Sequence, residues 1–312
     1  MKKLLFTGGG GAGNEAISRL LSDRYEIHFA DADVHAIDPV IPADRRHAIP
    51  FASDPGFADR LCELAEKLEV DLLVPGVDEE LPLVADLVDA GRISALLPPA
   101  AFVRRNLDKF TSMQFLEKLG LAPRTVLAEE AEAIGFPCIV KPRQGRGSRG
   151  VSVIRSAEKL AAYLTLSEGA EGSCIAQELG QGEEFTVMMA ADSEGALRAI
   201  VPVAVGIKRG ITLRAKTCRD DVVEEACSKV HAADPVPGSY NVQLIRQEDG
   251  RVLVFEINPR VSTTLCLGVA AGVNPIELFL QEPTGAGPTL RPFTENLQLH
   301  RFWVNRLTTD CA

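Results

Sequence analysis

Residues 238–262 read GSYNVQLIRQEDGRVLVFEINPRVS, and this stretch decides how the rest of the chain is read. It predicts two strands and a tight turn. Residues 241–245 alternate polar and apolar, Glu248-Asp249-Gly250 turns, and residues 251–257 run back. Such a hairpin sets Gln243 across from Glu256. Glu256 and Asn258 lie two apart, so both face the same side of the second strand, with Arg260 two further on. Glu256 interrupts VLVFEINP, a run apolar enough to be buried, and a carboxylate there needs a partner. Oxygen-bearing side chains at Gln243, Glu256 and Asn258 suit Mg²⁺, which takes one or two carboxylates and completes its shell with phosphates and water. Mn²⁺ accepts a similar donor set. An arginine beside such an ion marks a phosphate-handling site. The plainer alternative is an amphipathic hairpin with a solvated polar face.

The chain has 312 residues, enough for two or three domains with large cores. It is 46% hydrophobic and 24% charged, the balance of a soluble globular protein. A net charge of −10 argues against general nucleic-acid binding, which favours a basic footprint. The opening MKKLLFTGGGG reads as a first strand and not as a signal peptide, because its apolar run is short and ends in glycines. No apolar stretch approaches the roughly 20 residues of a membrane span. Seven cysteines, at 62, 138, 174, 218, 227, 266 and 311, form no CxxC pair and read as reduced residues of a cytoplasmic protein.

Residues 1–97 alternate strand and helix, which implies a parallel sheet covered on both faces. GGGGAG at Gly8–Gly13 matches G-x-G-x-x-G, follows a strand, opens a helix and precedes Asp31 and Asp33. That is the pattern of a dinucleotide fingerprint, and alone it suggests an NAD(P) oxidoreductase. The alternative is a turn that lets a helix N-terminus face some other small anion. Nothing downstream resembles a hydride-transfer site, so the turn is assigned to a substrate-binding domain. Val77-Asp78-Glu79-Glu80, at the end of a strand, belongs to the same ligand-facing edge. Pro98-Pro99 marks a boundary.

Beyond it, Asp108 fits a helix N-cap and Lys109 opens the helix with the unfavourable sign for its dipole. In FPCIVKPRQGRGSRGVSVI a strand delivers Lys141, and a loop over residues 145–150 follows. Its Gly145, Gly147, Ser148 and Gly150 allow N–H groups to converge on phosphate oxygens. No GK[ST] follows and strands flank the loop, so it is not a Walker A loop. Residues 174–179 form an apolar strand ending at Gln177, Glu178 and Leu179, whose free backbone suits an adenine edge. Glu183 or Glu184 suits ribose hydroxyls, and an exposed turn is the competing reading. Lys208, Arg209, Arg214 and Lys216 cluster around Gly210, a local basic patch suited to an anionic substrate. A final strand is expected over residues 298–305.

NLDKF, FPCIVKPRQGRGSRGV, IAQELGQGEEFTV, NVQLI and VFEINPRVS, in that order, resemble the ATP-grasp superfamily, particularly the carbamoyl-phosphate synthase large-chain type. The resemblance spans essentially the whole chain, and NVQ with E-x-N-P-R is its most specific part. It implies an ATP-grasp fold of mixed α/β and α+β class. Residues 1–98 would be a Rossmann-like, pre-ATP-grasp domain on the substrate side, residues 99–173 a small lobe with the flexible loop, and residues 174–312 a large lobe with the metal site. It further implies ATP between the two lobes, with Lys109 and Lys141 on its phosphates and residues 145–150 above them. Glu178 and Leu179 would meet adenine, and Glu183 or Glu184 the ribose. Gln243, Glu256 and Asn258 would hold one or two Mg²⁺ ions, and Arg260 and Lys141 would act on the transferred phosphoryl group. The family activates a carboxylate as an acyl phosphate and lets an amine displace phosphate.

That chemistry needs positioning and charge neutralisation but no protein nucleophile. It fits a sequence with no Ser-His-Asp or Cys-His arrangement, and none of the histidines is assigned a role. Two departures stand out. The chain is too short for a complete carbamoyl-phosphate synthase, which carries two such halves. Gln243 replaces the acid of many relatives and lowers the charge available to a second metal. The expectation is a stand-alone ligase joining a small carboxylate to an amine or ammonia, with no nucleic-acid or membrane partner. A homodimer is compatible with it. A nucleotide-binding regulatory protein without turnover is the rival.

Overall fold

The structure is a computed structural model that describes residues 1–167, 171–281 and 289–305. Three sheets follow one another along the chain. The first is parallel and contains β1 (Lys2–Thr7), β2 (Tyr25–Asp31), β3 (Arg46–Ala48) and β4 (Leu72–Val74), in the order β3-β2-β1-β4. Its central strands are buried apolar runs, as a sheet covered on both faces requires. Helices α1 (Asn14–Leu21), α2 (Phe57–Leu68) and α3 (Leu81–Asp89) cover it. The last strand of the alternation, read over residues 94–97, is reduced to one bridge between Leu73 and Ala95.

Two helices lead out of this unit, α4 (Ala100–Leu107) and α5 (Lys109–Lys118). Asp108 separates them and caps α5, accepting from the amides of Phe110 and Thr111. The second sheet contains β5 (Thr125–Leu127), β6 (Cys138–Pro142), β7 (Ser152–Ile154) and β8 (Cys174–Glu178), in the order β5-β8-β6-β7. Helix α6 (Ala157–Leu166) packs beneath it on Leu160. The expected division after residue 173 assigned residues 174–178 to the C-terminal lobe. Pairing of β8 with both β5 and β6 places them in the middle sheet.

The third sheet is the largest and is antiparallel between neighbours. It is built from β9 (Glu183–Ala191), β10 (Leu197–Arg209), β11 (Ile211–Thr217), β12 (Gly238–Arg246), β13 (Val252–Asn258) and β14 (Gln298–His300), in the order β13-β12-β9-β10-β11-β14. The final strand is shorter than expected and ends at His300. Helix α7 (Asp221–Ala233) packs on one face through Val223, Cys227 and Val230, together with Met113 and Leu116 of α5. The other face shares a core with the first sheet. Leu4, Phe6 and Phe29 cluster there with Met188 and Val201, joined by α8 (Leu265–Ala270) and α9 (Pro275–Leu280). That shared core sets the parallel sheet against β9, β10 and β11 of the large sheet.

Cys62, Cys138, Cys174, Cys218, Cys227 and Cys266 are free thiols, all buried except the half-buried Cys218. Cys311, part of the same expectation, lies outside the described residues. Among the described residues no helix is long and apolar enough to cross a membrane.

Candidate active site

Strands β12 and β13 pair with Gln243 opposite Glu256 and Asn241 opposite Asn258. Strand alternation therefore presents these four polar side chains on one face. A register shift between Gln243 and Leu244 leaves Phe255 as an extra residue on β13. Its ring lies 5.5 Å from Lys141 Nζ and 5.6 Å from Lys208 Nζ.

Cations gather around the single carboxylate of this face. Lys109 Nζ stands 3.3 Å from Glu256 Oε1 and donates to the Gly145 carbonyl at 2.7 Å. Lys141, delivered by β6, donates to the Phe255 carbonyl at 3.0 Å. Lys208 donates to Gln243 Oε1 at 2.8 Å and to Glu184 Oε1 at 2.6 Å. Gln243 in turn donates through Nε2 to Glu256 Oε2 at 3.2 Å. Burial pushes Lys141 down to about 8; Glu256 opposes the shift, while Lys109 and Lys208 add to it. A lysine so desolvated and crowded by like charge gains most from an anionic ligand.

Two cavities meet at Glu256. The first, of about 430 Å³, lies between β6 with its following loop and the β12–β13 hairpin. Ile139, Ile245, Leu253 and Phe255 form its apolar walls, and Lys109, Lys141, Lys208 and Glu184 its polar end. The second, of about 690 Å³, runs from Asn241, Asn258 and Arg260 to the C-terminal edge of the first sheet at Gly10 and Glu80. Glu256, Lys208 and loop residues 146–149 line both.

The expected residues are mostly brought together. Lys109, Lys141, Gly145, Gly147, Ser148, Gln177, Glu178, Glu184 and Glu256 line the first cavity. Gln243, Glu256, Asn258 and Arg260 line the second. Gly150, Leu179 and Glu183 line neither. The Gly150 carbonyl accepts from the Tyr163 hydroxyl. Glu183 pairs with Arg246 at 3.2 Å, whereas Glu184, the other acid expected near a ribose, lines the first cavity. The end of β8 is less free than expected, because the Glu178 amide donates to the Arg124 carbonyl at 3.0 Å. Gln177 is buried and donates to Thr125 Oγ1 at 2.9 Å. The basic patch is split by position: Lys208 and Arg209, at the end of β10, line the second cavity, whereas Arg214 and Lys216 are exposed on β11. Arg260 is tied through Nε to Asp78 Oδ1, at the edge of the first sheet.

The glycine turn at 8–13 folds inward. Gly9 donates to the Ala30 carbonyl, Gly11 to the Gly8 carbonyl, and Gly10 to Asp31 Oδ2 at 2.9 Å. Asp31 Oδ1 accepts from the Asp33 amide. A Cβ on Gly10 would lie 2.6 Å from that of Ala36. Gly10 thus packs against Ala36 and Gly9 against Ile37, and the carboxylate expected for a ribose is bound to the turn itself. This arrangement argues against the NAD(P) reading. Next to the turn, Glu80 is 2% exposed and its Oε1 accepts from Thr7 Oγ1, Gly76 N and Val77 N. Burial raises its carboxyl to about 7 despite those bonds.

Among the described residues no group of three or more His, Cys, Asp or Glu side chains converges as a metal site. The donor set on the hairpin is one carboxylate with amide oxygens at Gln243 and Asn258. Such a set fits a hard cation only when phosphate oxygens complete the shell, as Mg²⁺ prefers. Sequence reasoning missed Phe255 and Asn241. The first depends on the bulge, and strand parity alone points to the second.

A family model described as an ATP-grasp domain matches residues 107–264, half of the chain. Formate-dependent phosphoribosylglycinamide formyltransferase of Bifidobacterium adolescentis is 27% identical over 296 residues, covering 84% of this chain and 72% of that protein. The carbamoyl phosphate synthase large chain of Methanosphaerula palustris is 25% identical over 293 residues, covering 85% of this chain but only 27% of the larger protein. In fold, the chain is similar to N5-carboxyaminoimidazole ribonucleotide synthetase from Thermotoga maritima. The TM-score is 0.66 at 20% identity, over 94% of this chain and 79% of that one.

Proposed function

The chain belongs to the ATP-grasp family, and from that premise we propose that it is an ATP- and Mg²⁺-dependent ligase activating a small carboxylate for attack by an amine. The meeting of two cavities at Glu256, beneath three lysines, carries the reading. Adenine packs against Ile139, Ile245 and Leu253 with the end of β8 beside it, and Glu184 takes the ribose hydroxyls. Lys109 and Lys141 hold phosphates, and the loop at 145–150 covers them and excludes water. Gln243, Glu256 and Asn258 hold Mg²⁺ together with phosphate oxygens. When bound, the ion neutralises charge on the transferring group.

The carboxylate occupies the second cavity. Its oxygen attacks the γ-phosphorus as the bond to the β,γ-bridging oxygen breaks, and ADP leaves with that electron pair. The acyl phosphate exposes a carbonyl with a good leaving group, and the amine displaces inorganic phosphate. Lys141 and Arg260 stabilise the phosphoryl oxygens during transfer, Arg260 being aimed by Asp78. Gln243 engages Lys208, so an ammonium supplies charge where an acid would have supplied a further metal ligand. The site therefore asks for fewer ions than an all-acid set.

The test is ADP release from Mg·ATP against a panel of carboxylates and amines. The formate-dependent relative makes formate the first carboxylate to try. ADP release requiring both partners is expected. Thermal stabilisation by NAD(P)H and not by Mg·ATP would overturn the reading.

A further inference from the structure

We propose that Asn241 is a substrate-binding residue, its amide nitrogen taking one oxygen of the carboxylate under activation; this rests on the ligase reading above. Asn241 is 1% exposed yet lines the second cavity. Its Oδ1 accepts from Thr186 Oγ1 at 2.9 Å, while its Nδ2 has no hydrogen-bond partner among the described residues. A buried donor left unpaired costs stability, so its natural complement is an acceptor arriving from the cavity.

Of the neighbours on the same face, Asn258 is assigned to the metal ion and Arg260 to the transferred phosphoryl group. Gln243 gives its nitrogen to Glu256, Arg260 gives Nε to Asp78, and Glu256 only accepts. Position along β12 names the ligand. Ile245 lines the first cavity, whereas Gln243 and Asn241 line the second. Asn241 is thus on the side of the carboxylate and not of the nucleotide. With the Thr186 hydroxyl donating to Oδ1 the amide nitrogen is left free, an orientation that attracts an anion and that a flipped amide would reverse. One carboxylate oxygen held on Nδ2 leaves the other to meet the γ-phosphorus, which makes Asn241 a determinant of both affinity and aim.

The experiment compares wild type with Asn241→Asp and Asn241→Leu. ADP release is measured against formate, acetate and the common amino acids, and KM is determined separately for carboxylate and ATP. Asp keeps size and can keep the Thr186 bond while replacing the donor with a charge; Leu removes the donor. Thermal stabilisation by Mg·ATP reports that each variant is folded, and the Asp variant suffices if Leu is not. The carboxylate KM is expected to rise about tenfold or more, with the ATP KM within about twofold. An unchanged carboxylate KM, or both KM values rising together, would overturn the assignment and leave the ligase reading standing. Absence of carboxylate-dependent ADP release from wild type, with Mg·ATP still bound, would overturn both.

Discussion

The chain contains two glycine-rich turns, and they use their glycines in opposite ways. At 8–13 the amides of Gly9, Gly10 and Gly11 are all consumed internally, and Ala36 presses on Gly10. At 145–150 the glycines carry positive φ, and a Cβ on Gly145 or Gly147 would meet nothing within 4 Å. The first turn is a packing joint between the parallel sheet and its neighbours. The second is a cover over a cavity lined with lysines. Both spell a plausible phosphate loop in sequence. Glycine permits close approach of a backbone to something, and only the destination of the neighbouring N–H groups says whether that something is protein or ligand.

Substitutions on the two sides should behave differently. The largest effect belongs beneath the second turn. Lys141→Met removes a buried cation from the proposed phosphate site, and steady-state ADP formation should fall about a hundredfold or more. Comparable loss from a substitution at Gly10 would erase the distinction. Next comes Glu80, beside the first turn. The Glu80 carboxyl stays protonated to about pH 7 in the folded chain but ionises near 4.5 when unfolded. Its contribution is therefore complete below pH 4.5 and lost as pH rises toward 7, amounting to about 3 kcal/mol. Denaturant titrations of Glu80→Gln should lack this component of the decline between those pH values. An unchanged pH profile would mean Glu80 is already ionised in the fold. The smallest effect is Gly10→Ala, whose Cβ must push Ala36 aside at about 1–3 kcal/mol. The unfolding midpoint should drop by a few degrees with the ATP KM unaltered; a raised ATP KM would assign the first turn to the nucleotide site.

The hairpin was legible because an alternating run and an apolar run flank Asp249-Gly250, and pairing Gln243 with Glu256 needs no information beyond that local pattern. The parallel sheet was legible from the same kind of evidence, strand following helix over residues 1–97. Non-local pairing was not. Nothing in CIAQE says that it joins β5 and β6 instead of the large sheet, since the partners lie far along the chain. Helix α4 escaped because Pro98-Pro99 was read as a boundary, although Pro99 is in fact its N-cap. The basic patch was seen as one feature, but its members sit at the end of β10 beside the cavity or farther along β11 in solvent. Glu80 was placed on the right edge, but its burial depends on Thr7 at the end of another strand. The fingerprint at Gly8–Gly13 is ambiguous in sequence because Asp31 has the right spacing for a ribose and the right reach for Gly10.

The central claim is that Glu256, at the junction of the two cavities, organises phosphoryl transfer. The direct measurement is ADP formation from Mg·ATP by wild type and Glu256→Ala under single-turnover conditions, with folding verified by circular dichroism. The account predicts a folded variant that forms no ADP at any carboxylate concentration. ADP formation at the wild-type rate in that variant would contradict it.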